Sequence, residues 1–185
     1  MPSHSATRTL GLAAALAVAV CFASTGCGAD TVRQRSYDSA EDSLRSYVSE
    51  TAACVTGVAP EMLSAAHETA VVDTLSACAG TTVFNQDIDQ LPDTRPVSVR
   101  QSSAALSGVV TGDQLHLTFY TQSSGLTQSG VTQYRTILAT CWDITVAEDS
   151  SQTDEISGIP CGDALIERMN PTEVVQLHDL NIDQR

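Results

Sequence analysis

LHLTFYTQSSGLTQSGVTQYRTILATCWDITV, residues 115–146, is where the periodicity of this chain changes. Leu115, Leu117 and Phe119 alternate with His116, Thr118 and Tyr120. A period of two sends successive side chains to opposite faces of a strand. Tyr134 to Val146 repeats the pattern at greater length. Leu138, Trp142, Ile144 and Val146 share a face with Tyr134, Thr136 and Thr140, while Ile137, Ala139 and Cys141 lie on the other. Apolar residues on both faces predict a strand that is partly covered on both sides. Between the two runs, residues 122–130 are rich in Ser, Gly and Gln and read as a loop. Thr111-Gly112-Asp113 reads as a turn ahead of the first run, and Val97 and Val99 begin the alternation just after Pro96.

Upstream the period is helical. Tyr37, Ala40, Leu44, Tyr47, Val48, Thr51 and Val55 recur at three and four, predicting a helix over 36–55. Asp38 or Ser39 is placed to cap it, and Glu41 and Asp42 fall in the first turn, where the helix dipole favours anions. Gly57 reads as its stop, and Pro60 as the start of a second helix to Cys78. Leu63, Ala66, Ala70, Val71, Leu75 and Cys78 share that helix's face, and Gly80 ends it. Residues 79–96 are a turn-rich loop. Downstream, residues 148–160 read as an acidic loop and Asp163–Met169 as a short helix stopped by Asn170-Pro171. Thr172–Leu180 reads as a final helix or strand. Helices first and strands second predict an α+β domain over 36–185. Its expected form is an N-terminal helical hairpin packed on an antiparallel β-sheet of three to four strands, with a short C-terminal helix.

Acidic residues number 22 against 9 basic ones, all arginine, for a formal charge of −13. Such a chain cannot neutralise a phosphate backbone, so nucleic acid is excluded as a partner. The absence of lysine excludes the P-loop, SxxK and Schiff-base chemistries. An apolar content of 42% fits a folded domain with a core.

The first residues carry an address. Arg8 precedes Leu10–Ala23 (LGLAAALAVAVCFA), 14 residues without a charge. A helical membrane span takes roughly 20 residues, whereas the apolar region of a secretory signal takes about 7–15. Ser24-Thr25-Gly26-Cys27 follows. This arrangement resembles the signal and cysteine box of bacterial lipoproteins. Thr25 and Gly26 match that pattern, and Ser24 stands where the family has Leu. The resemblance covers residues 1–27. It implies a signal peptide over 1–26, diacylglyceryl transfer to the Cys27 sulfur, cleavage before Cys27, and acylation of the freed amine. The protein would then be lipid-anchored on the extracytoplasmic face of the cell membrane. The competing reading is ordinary cleavage near Ala23, giving a soluble secreted protein. On the lipoprotein reading, residues 27–35 are a lipidated tether. Its eight residues from Gly28 to Arg35, if extended, reach about 26–29 Å. Arg33 and Arg35 lie there, either solvated or touching anionic headgroups.

Removing 26 residues leaves 159, enough for one domain with a core, and four internal cysteines: Cys54, Cys78, Cys141 and Cys161. An even number in an exported chain predicts a disulfide framework. Three pairings are open. Cys141–Cys161 closes a flexible loop and favours the sequential scheme. Against its other half, full-length helices would hold Cys54 and Cys78 about 27 Å apart, beyond the roughly 7 Å Cα limit for a bridge.

The remaining motifs are incomplete. His67-Glu68 begins an HExxH whose second histidine is Val71. Asn85, Asp87, Asp89 and Asp93 are spaced as in a calcium loop, but Gln90 and Pro96 occupy the positions of its Gly and bidentate Glu. Ser129 has no GxSxG context. His67, His116 and His178 fall in separate segments, none beside a carboxylate or serine at a spacing that implies a dyad. Trp142 reads as core rather than as a sugar platform. No metal, cofactor or catalytic residue is expected. The expected function is a non-catalytic envelope module that binds a small ligand or a partner protein. The alternative is an extracytoplasmic hydrolase with a site assembled from scattered residues.

Overall fold

The computed structural model describes residues 9–64, 74, 75, 78, 101–111, 114–147 and 155–182. Helix α1 (Thr9–Ser64) precedes strands β1 (Gln101–Thr111), β2 (Gln114–Ser129), β3 (Thr132–Ala147) and β4 (Glu155–Ile159). Helix α2 (Asp163–Met169), strand β5 (Glu173–Val174) and a 3-10 turn (Leu177–Leu180) complete the chain. The strands pair antiparallel in the order β1-β2-β3-β4, and β5 adds to the β4 side of β3 in parallel. The fold is α+β, as the change of period predicts.

One expectation about the helices is corrected. Among the described residues there is one long helix, and it runs through both Gly57 and Pro60, so the turn of the expected hairpin does not fall there. The reason is its buried stripe. Ala40, Leu44, Val48, Ala52, Val55, Ala59 and Met62 are all buried against the sheet, at spacings of three and four that do not stop at residue 57. Gly57 and Pro60 both lie on the exposed side. A proline inside a helix costs about 3 kcal/mol and a glycine about 1. Burying Met62, the large apolar residue beyond both, returns roughly 1.5–3 kcal/mol and offsets much of that cost. The helix also begins long before Ser36, so neither Asp38 nor Ser39 caps it. Thr74, Leu75 and Cys78 are helical as well, and Leu75 is fully buried.

The interval expected as a loop at 122–130 is strand as far as Ser129. β2 and β3 pair without interruption from Gln114↔Ala147 to Ser129↔Thr132. The turn is reduced to Gly130-Val131, with Gly130 at φ +60°, the left-handed value that a tight hairpin needs at its first central position. The small residues are there for the helix. A Cβ on Gly125 would overlap the Ser36 carbonyl oxygen and lie 2.9 Å from the Ala40 amide nitrogen. Ser36 Oγ donates to Gly125 O at 2.9 Å, and Ser123 Oγ donates to Ala40 O at 2.5 Å. Composition alone reads this seam as a loop. In the fold it is where helix and sheet backbones meet.

Glu155–Ile159, expected within a loop, pairs with Cys141–Thr145. Its two isoleucines explain this, since Ile156 packs on the helix-side core and Ile159 on the opposite cluster. Thr172–Leu180 resolves into β5 and the 3-10 turn. Leu177 and Leu180 are buried there, and Arg45 Nε donates to Leu180 O at 2.6 Å. The helix-side core is centred on Trp142, fully buried and stacked on its cross-strand partner Phe119 at 4.6 Å, with its indole N–H donated to Thr121 Oγ1. Trp142 is therefore core. α2 lies across the sheet from α1, with Leu165 and Met169 packed beside Tyr120, Ala139 and Cys141. As predicted, β3 is covered on both faces. Residues 79–100, the turn at 112–113 and the acidic segment 148–154 lie outside the described residues.

Candidate functional site

The four internal cysteines form two bridges, Cys54–Cys78 and Cys141–Cys161, with Cα separations of 5.6 and 5.3 Å. The objection to the first bridge assumed an unbroken second helix from Pro60 to Cys78. Residues 60–64 instead belong to α1, so Cys54 lies inside that helix, ten residues before Ser64, and not at the tip of a hairpin. The bridge ties the helical segment carrying Leu75 and Cys78 to the later turns of α1. Cys141–Cys161 ties β3 to the segment after β4. Cys27 lies in the N-terminal part of α1, and Gly28–Arg35 is helical rather than extended. At 1.5 Å per residue those eight residues cover only about 12 Å.

The sheet face turned away from α1 carries the polar chemistry. Cross-strand pairing lines up His116, Thr145 and Glu155 in one row and Thr118, Asp143 and Ser157 in the next. Tyr120, Cys141 and Ile159 form the third row, which α2 covers in part. Cross-strand neighbours on one face stand about 4.5–5.5 Å apart, so these rows form a rigid strip of hydroxyl, imidazole and carboxylate groups. His116 Nδ1 lies 2.9 Å from Thr145 Oγ1. The Asp143 Oδ1 atom is buried and accepts no hydrogen bond within the described residues. A carboxylate only accepts, so this atom suits a donor on a ligand. Tyr120 donates to Gln122 Oε1 at 3.0 Å, and burial pushes its phenol well above the usual range.

Among the described residues, His116 and His178 share no partner. His178 Nε2 lies 3.2 Å from Asp179 Oδ1, but both side chains are largely exposed and are neighbours in sequence. His67, with Glu68 and Val71, lies outside the described residues, as do Asn85, Asp87, Asp89 and Asp93. Ser129 is exposed at the end of β2. Among the described residues no three His, Cys, Asp or Glu side chains are grouped to hold a metal. The sequence reading missed Asp143, although strand parity could have placed it beside Thr145 on the outer face. No helix among the described residues is long and apolar enough to cross a membrane. No protein-family model matches the chain, and no curated protein or solved structure is similar to it.

Proposed function

We propose that the protein is a lipid-anchored module of the cell envelope, held on the extracytoplasmic face through acyl chains on Cys27, and that it works by binding. One observation carries the anchoring half. The two bridges consume Cys54, Cys78, Cys141 and Cys161, so Cys27 has no partner among them. A cysteine set apart from the disulfide framework, directly behind an uncharged run and three small residues, is suited to thioether formation. Two or three acyl chains on one residue suffice for stable anchoring. The binding half is supported by the outer sheet face, where Asp143, Thr118, Ser157 and Thr145 offer polar groups on rigid strands. The Thr145–His116 contact has the spacing of a nucleophile and base. Catalysis there would also want a group orienting the imidazole, and the row ends in Glu155, an exposed residue.

The test is fractionation of cells expressing the full chain and its Cys27→Ser variant. The wild type is expected in the membrane pellet after a high-salt wash, with an N-terminal peptide whose mass carries the lipid. The variant is expected in the soluble fraction. A variant that stays in the pellet refutes the anchor. On the binding side, His116→Ala should leave the cellular phenotype intact, and a loss equal to deletion would turn the reading toward catalysis.

A further inference from the structure

We propose that the β2–β3 turn is a second membrane contact, entering the outer leaflet beside the acyl chains of Cys27. The inference rests on the lipid-anchor reading and adds to it a surface and an orientation. It begins with register. Ser36 meets Gly125, and Ala40 meets Ser123, so α1 runs antiparallel to β2. From Ser36 back to Cys27 is nine helical residues, about 14 Å. From Gly125 forward to Ser129 is four strand residues, also about 14 Å. Helix and hairpin therefore reach the same level, and the Gly130-Val131 turn stands level with Cys27. Val32 is buried within this stretch of the helix. Because α1 is continuous through residues 27–36, this spacing is set by a helix and not by a loose tether.

The side chains at this end suit a lipid surface. Among the residues whose side chains are described, the exposed large hydrophobics are Leu126 and Val131, at 62% and 102% exposure, both on this hairpin. Val131 leads at the turn. Leu126 follows on the strand face away from α1, paired in register with Arg135. In a chain of charge −13, Gln114 to Trp142 contains no acidic residue, and Gly28–Arg35 carries Arg33 and Arg35 against the single Asp30. Among the described side chains, this end thus carries an apolar residue at its tip, with Leu126 and the arginines behind it. That order matches the acyl boundary and anionic headgroups of a leaflet.

The experiment uses the full chain, lipidated in cells and reconstituted into phosphatidylglycerol–phosphatidylethanolamine vesicles. Val131→Trp and, separately, Leu126→Trp place an indole at exposed positions. The native Trp142 is fully buried and gives a constant background. The expected result is a blue shift of the added emission at Val131→Trp, with quenching by brominated acyl chains and protection from aqueous iodide. A smaller effect of the same sign is expected at Leu126→Trp. If the N-terminal peptide is lipidated but both indoles stay water-like and iodide-quenched, the hairpin contact is overturned while the anchor stands. If Cys27 proves unmodified, the anchor fails. The same variants coupled through the Cys27 thiol to maleimide-headgroup lipid then decide the hairpin, with quenching supporting insertion and its absence overturning it.

Discussion

Gly125→Ala tests the seam on which the helix and the sheet depend. The added Cβ would overlap the Ser36 carbonyl oxygen and approach the Ala40 nitrogen. Both obstacles are backbone, so no rotamer change can relieve them and α1 must retreat from β2. Overpacking of this kind costs typically about 1–3 kcal/mol. Retreat also strains two buried hydrogen bonds, Ser36 to Gly125 and Ser123 to Ala40, each worth on the order of 1 kcal/mol. Alanine restricts the unfolded chain more than glycine does, which returns about 0.4–1 kcal/mol. The net loss is therefore roughly 2–4 kcal/mol, and for a domain of this size each kcal/mol moves Tm by about 2–4 °C. Thermal unfolding of the oxidised protein followed by circular dichroism should show Tm falling by roughly 4–16 °C. Gly162→Ala is the control for added bulk, since nothing lies within 4 Å of its added Cβ; because Gly162 caps α2, it should cost no more than about 1 kcal/mol. A Gly125→Ala protein that melts with the wild type would refute the close approach of α1 to β2.

Gly57→Ala discriminates a continuous helix from a hairpin. In the interior of α1, with open space around its Cβ, it should stabilise by about 0.5–1 kcal/mol, whereas at a left-handed helix stop it would destabilise. Replacing Cys141 and Cys161 together by alanine opens a loop with a sequence separation of 20 and should cost about 3 kcal/mol in denaturant unfolding. An unchanged midpoint would show that the bridge adds nothing. Burial raises the Tyr120 phenol above its unfolded value of about 10. The unfolded state thus loses this proton first as the solution turns alkaline. Stability from Tyr120 is complete below about pH 10 and falls above it. Tyr120→Phe should flatten that alkaline decline. Tyr37 and Tyr47, also raised by burial and by Glu173 and Glu50 respectively, should leave a residual slope. A decline of the same steepness in Tyr120→Phe would remove Tyr120 from the account.

Periodicity determined what local side-chain placement can determine. The helical stripe of Ala40, Leu44, Val48, Thr51 and Val55 and the alternation in Leu115–Phe119 and Leu138–Val146 are each legible because burial selects side chains at the period of the element. The α+β class follows, as does the burial of Trp142. The same local reading failed wherever a distant surface changed the meaning of a residue. Gly57 and Pro60 are stop signals in isolation, yet the buried stripe runs on through Ala59 to Met62 and the helix continues. Ser123, Ser124 and Gly125 look like loop composition, yet a helix backbone lies against Gly125 and accepts a hydrogen bond from Ser123. The Cys54–Cys78 bridge also depended on α1 running on past Pro60. The candidate site divides in the same way. The proposed anchor at Cys27 rests on its neighbours in the chain, because such a signal would be read as linear sequence. The Thr118–Asp143–Ser157 row, and the alignment of the Gly130-Val131 turn with Cys27, exist only through strand register and the antiparallel seating of α1 on β2. Those are relations between residues far apart in the chain, and tertiary packing alone sets them.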